Sequence, residues 1–225
     1  MPPTPFSPPL TAAGGLPGVP VTRADAPGGG PSGELPPAFQ RARDALRAVL
    51  DGPSPRPELD LEDMPAPQRL APYAAALSGS VYRDDDTEVA SGRLIVLYDP
   101  AGRDGWENGF RVVAYVRADL EPEFAADELI GSVAWSWLLE ALEPAGFTAV
   151  SGTITRAVSE SFGDKSDEPS ATELELRASW SPTDSGSGID MAGHVAAWCE
   201  VMGATAGLPP TGVTALPDGP GGAGR

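Results

Sequence analysis

Between residues 172 and 180 ("TELELRASW") apolar and polar side chains alternate without a break. Thr172, Leu174, Leu176, Ala178 and Trp180 fall on one side of an extended chain, with Glu173, Glu175, Arg177 and Ser179 on the other. A period of two marks a strand with one covered face and one wet face. The stretch 110–118 ("FRVVAYVRA") repeats it, with Phe110, Val112, Ala114 and Val116 set against Arg111, Val113, Tyr115 and Arg117. Three further strands are predicted at about 73–83, 88–98 and 147–162, the last unusually rich in Ser and Thr. Asp84, Asp85 and Asp86 supply a polar turn between the first two. The links between successive strands are too short for a parallel crossover, so the hairpins are antiparallel.

Helical spacing takes over elsewhere. Residues 37–50 open on a proline suited to a first turn and place Phe39, Ala42, Leu46, Val49 and Leu50 on one stripe. Arg41, Arg43 and Arg47 lie off it, as a solvated face. Residues 124–143 form a second helix, whose stripe runs from Leu129 and Ile130 to Ala141 and Leu142, with Trp137 near its middle. Trp135 falls about 130° from that middle. It shares the polar face with Leu139 one turn on, among Glu128, Ser132 and Ser136. An aromatic with a leucine there asks for a cover: the connector 53–72, another helix, a second subunit or a client. A last helix at about 189–206 buries Met191, Val195, Trp198, Cys199 and Met202.

The element order is therefore α-β-β-β-α-β-β-α. It predicts a single α+β domain over 37–208, with an antiparallel five-stranded sheet and helices on one face. The proline-rich connector 53–72 is read as irregular, with Leu59, Leu61 and Met64 stitching it to the body. Its acids Glu58, Asp60, Glu62 and Asp63 have no histidine nearby and are read as solvated, not as a metal cluster.

Composition adds boundaries and exclusions. Residues 1–36 and 209–225 are dominated by Pro, Gly, Ala, Ser and Thr without any period, which predicts disordered tails. The formal charge is −17, of which the core carries about −16. Such a surface repels phosphate backbones and anionic bilayers, so neither nucleic acid nor membrane is expected as a partner. Cys199 is the single cysteine, which favours a reducing compartment, and residues 1–36 show no basic n-region followed by an apolar run. The expected location is cytoplasmic.

Candidate chemistry is thin. His194 is the single histidine, and it diverges from Cys199 by about 140° on the last helix, which argues against a Cys–His pair. The single lysine, Lys165, lies in a polar loop, and no glycine motif sits between a strand and a helix as phosphate cradles require. Glu173 and Glu175 share a strand face, but among 32 acids such adjacency carries no signal. No catalytic, metal or cofactor residue is assigned, and no cofactor is expected. The residues singled out for partner contact are Trp135, Leu139 and, on the charged loop 99–109, Trp106.

Five stretches carry a resemblance: "PAPQRLAPYAAALS" (65–78), "GRLIVLYDPAG" (92–102), "WSWLLEAL" (135–142), "ELRASWSP" (175–182) and "HVAAWCEVM" with the following "AGLPP" (194–210). Together they resemble the actinobacterial family called domain of unknown function 3000, over roughly 37–210. The resemblance implies a G/C-rich host, in keeping with fourteen arginines against one lysine, and it implies no activity. Element order alone is similar to type III secretion chaperones and YbjN-like proteins, which are small, acidic, dimeric client binders. The leading expectation is a non-enzymatic protein-binding module, chaperone-like or an adaptor, acting on a protein partner or on itself as a homodimer. The alternative is a small-molecule sensor or enzyme with a pocket between sheet and helices, gated by loop 99–109.

Overall fold

The structure is a computed structural model that describes residues 35–210, apart from 84–86, 126, 168–169 and 187. The tails expected to be disordered, 1–36 and 209–225, lie outside those residues except for 35–36 and 209–210, and so does the aspartate turn 84–86.

Six strands form one antiparallel sheet: β1 (Leu59–Met64), β2 (Tyr73–Tyr82), β3 (Glu88–Tyr98), β4 (Phe110–Asp119), β5 (Phe147–Ser159) and β6 (Ala171–Pro182), in the order β1-β2-β3-β4-β6-β5. The helices are α1 (Pro37–Asp51), the single turn α2 (Pro122–Ala125), α3 (Ile130–Leu142) and α4 (Met191–Thr205). The α+β class, the antiparallel pairing and the helix-covered face agree with the sequence pattern. The strand count does not, since there are six and not five. The connector hides a strand because its prolines flank the stretch "LDLEDM" without entering it, leaving a short period-two run free to pair with β2.

Alternation on β4 and β6 is realised in full. Val112, Ala114, Val116, Leu174, Leu176 and Trp180 are buried beneath the helices, while Arg111, Tyr115, Arg117, Glu175 and Arg177 lie on the outer face. At the heart of the covered face Gly79 pairs with Gly92. A Cβ built on Gly92 would stand 2.8 Å from the Tyr115 carbonyl oxygen and 2.9 Å from Met202 Sδ. The two glycines thus leave a dent that receives Trp198 of α4, whose Nε1–H donates to the Tyr115 carbonyl over 3.4 Å.

The second predicted helix is cut short at its start. Asp127 accepts from the Leu129 amide at 2.8 Å, an Asx turn that competes with helix. Arg156 of β5 donates to the carbonyls of Ala125 and Asp127, drawing them away from helical partners. Helix α3 therefore begins at Ile130 and buries Ile130, Ala134, Leu138 and Leu142, one residue per turn. Its stripe is narrower than predicted and leaves Trp137 half-buried. No helix among the described residues is long and apolar enough to cross a membrane.

Candidate functional site

Trp135 turns toward the edge strand β5. A Cβ built on Gly152 would lie 2.8 Å from the Trp135 ring, so the missing side chain makes the seat for the indole. The strand, not the connector, provides this contact, and both Trp135 and Leu139 are half-buried. Trp106 belongs to another region. The Arg103 guanidinium stands 4.9 Å from the centre of its ring. The loop is tied to β6 by the Ser181 hydroxyl, which donates to the Gly105 carbonyl at 3.3 Å. The structure does not bring Trp106 together with the α3 pair.

His194 and Cys199 are both sealed inside. His194, expected at the boundary of its helix, is wholly buried instead, because Trp180 reaches it from β6 and donates its Nε1–H to Nδ1 over 3.2 Å. Burial pushes the imidazole down to about 4, with Asp190 pulling weakly the other way. Burial also pushes the Cys199 thiol up to about 12, Glu200 adding to the effect. A thiol held protonated and an imidazole held neutral, both shut off from solvent, offer no nucleophile or base to a substrate. Glu173 and Glu175 are occupied on the outer face: Glu173 pairs with Arg117, while Glu175 accepts from the Tyr115 hydroxyl at 3.0 Å and pairs with Arg177 at 2.7 Å. Among the described residues no group of three or more His, Cys, Asp and Glu side chains is placed to hold a metal ion.

What the fold does build is an apolar groove at the far end of β4. There the chain leaves the sheet through Leu120, makes the turn α2 and enters α3, and the chain leaving α4 runs alongside. The groove encloses about 240 Å³, with Leu120, Phe124, Ile130, Trp137, Ala206 and Leu208 among its walls. Phe124 is 45 % exposed, and the neighbouring Leu129 is 65 % exposed. Asp119 and Glu121 stand at the rim, Glu121 paired with Arg83 at 3.0 Å. The depression beside α1, by contrast, holds about 110 Å³ and mixes Arg43, Asp44, Arg47 and Asp63 with Leu46, Leu50 and Leu77.

One wall of the groove is held from behind by Arg56. This buried guanidinium donates to the Pro209 carbonyl at 2.7 Å and faces Glu200 at 3.5 Å. Gly203 makes room for it, since a Cβ there would sit 3.2 Å from Cζ. A cation at the C-terminal end of α4 also complements the helix dipole. Leu208 and Pro210, which face the groove on either side of Pro209, are fixed as a consequence. The signal for this in the sequence was an arginine inside a proline-rich connector, which no periodicity picks out.

The fold and site define a class: a single antiparallel sheet backed on one face by helices, with an apolar groove at one end and with His194 and Cys199 buried. The model of a family described as a protein of unknown function, DUF3000, matches residues 35–214, and the chain belongs to that family. Comparison with curated proteins and with solved structures finds no match.

Proposed function

We propose that this protein is a non-enzymatic, cytoplasmic protein-binding module, an adaptor or chaperone-like protein, that seats an apolar segment of a partner in the groove between β4, α2, α3 and the end of α4. The observation that carries this reading is the groove itself, open to solvent and walled by Trp137, Phe124, Leu120, Ile130 and Leu208. A concave apolar surface rimmed by polar residues is a feature that binding sites share. Its acidic rim and the chain's net charge of −17 favour a segment whose apolar anchors are flanked by Lys or Arg. A gate at loop 99–109 has no part in it. That loop precedes β4, whereas the groove follows β4, roughly 30 Å away at a strand rise of about 3.3 Å per residue.

Panning a random peptide display library against the full chain tests the reading. The expected result is enrichment of peptides with large apolar anchors and basic flanks, whose affinity falls at least about tenfold on Phe124→Asp while circular dichroism and Tm stay unchanged. No enrichment, or enriched peptides that bind the Phe124→Asp variant equally well, overturns it.

A further inference from the structure

The outer face of the sheet carries a row of side chains that crosses all six strands in register: Glu62, Ser78, Arg93, Tyr115, Arg177 and Thr153. The row begins with an acid at the β1 edge and concentrates its cations on β3 and β6. On a chain of net charge −17, Arg93 is exposed with no ion pair among the described residues, and Glu62 likewise. Tyr115 lies between the two arginines, with the Arg177 guanidinium 5.7 Å from its ring centre. Beside Arg93 and Tyr115 the pair Ile95 and Val113 is only half-buried, which gives the face an apolar patch at its middle. Tyrosine and arginine around a small apolar centre are the composition of interface hot spots.

We infer that this face docks a second copy of the same chain, sheet against sheet, about a two-fold axis running along the strands between β3 and β4. That line is the middle of the sheet, with three strands on either side. The axis lays Arg93 of each copy over Tyr115 of the other, a cation–π contact made twice. It also lays β1 of each copy across β5 of the other, next to β6, so Glu62 comes within reach of Arg177 of the second copy. The charges required on both sides are thus present on one surface. Loop 99–109 covers the end of this face at Ser181 and Leu97. The remainder, six strands at about 4.8 Å spacing and about seven residues at about 3.3 Å rise, is roughly 550 Å² per copy, enough for a specific interface of the smaller kind. The surface is separate from the groove, so either assignment can fail without the other.

Sedimentation equilibrium of the full chain is the test, run beside Arg93→Glu, Arg177→Glu and the double variant Glu62→Arg/Arg177→Glu, each checked by circular dichroism. The wild type is expected at twice the 23.1 kDa chain mass. Arg93→Glu and Arg177→Glu are each expected to weaken association at least about tenfold. The double variant is expected to recover it. Within one chain Glu62 and Arg177 are roughly 19 Å apart, four strand spacings, so the recovery arises only between copies. A wild type that is monomeric overturns the inference. So does a dimer indifferent to Arg93→Glu, or an Arg177→Glu defect that the second substitution fails to repair.

Discussion

Trp180 of β6 donates its indole N–H to Nδ1 of His194 on α4, and neither side chain has any exposure to solvent. The bond fixes the imidazole tautomer, because a nitrogen that accepts from tryptophan cannot carry the proton. The proton therefore sits on Nε2, which has no hydrogen-bond partner among the described residues. Burial is what makes the group resist protonation, and charging the ring would also set an Nδ1–H donor against the indole N–H.

The consequence is a stability that depends on pH. The folded-state value, about 4, lies below the ordinary 6.5, so between those two pH values the unfolded chain binds the proton and the folded chain does not. Stability is then full above about 6.5 and falls as pH drops toward about 4, by at most about 1.4 kcal/mol per pH unit. Urea denaturation across that window is expected to show this slope. His194→Gln, which keeps an acceptor for Trp180 but does not titrate, is expected to flatten it. An unchanged slope in the variant would assign the acid sensitivity to carboxylates.

Gly92→Ala is expected to destabilise the protein by about 1–3 kcal/mol, the cost of overpacking a tight core. The added methyl meets a backbone carbonyl and Met202 at under 3 Å, and the carbonyl cannot yield without bending β4. Chemical denaturation checks it. If Met202→Ala in the same chain recovers only part of the loss, the backbone contact accounts for the remainder.

The two tryptophans of α3 are expected to separate in their effects. Trp135→Ala removes a half-buried ring from its seat on Gly152 and is expected to cost about 2 kcal/mol of stability while leaving peptide binding unchanged. Trp137→Ala strips a wall from the groove and is expected to weaken peptide binding by more than its stability loss explains. Thermal melts and fluorescence anisotropy on the same preparations give both readouts. Equal behaviour of the two variants would count against the groove.

Arg56→Met keeps the length of the side chain and removes its donors. Loss of the bond to Pro209 is expected to cost about 1–3 kcal/mol and to loosen Leu208 and Pro210, lowering affinity at the groove as well. A stability loss with unaltered binding would show that the wall stands without its anchor.

Much of this architecture was legible along the chain. The alternation of β4 and β6 marked which residues face the helices, and Val112, Ala114, Leu174 and Leu176 are buried as that pattern requires. Cys199 fell on a helical stripe and is in the core. The site was not legible. Trp137 lies at the centre of a broad apolar stripe in sequence, yet α3 buries one residue per turn and leaves that ring on the groove. Arg56 was invisible because its partners, Glu200 and Pro209, lie more than 140 residues away in the chain.

By itself, then, the sequence determined the kind of each main element, the face each strand covers, and the absence of a Cys–His pair. These follow from side-chain period and composition, which act over a few residues. Tertiary structure alone decided that β6 lies between β4 and β5, that a connector supplies a sixth strand, that His194 is sealed against Trp180, and that an apolar groove opens beside α4. Each of those outcomes depends on which surfaces meet across long chain separations, and periodicity within one element carries no record of its partner.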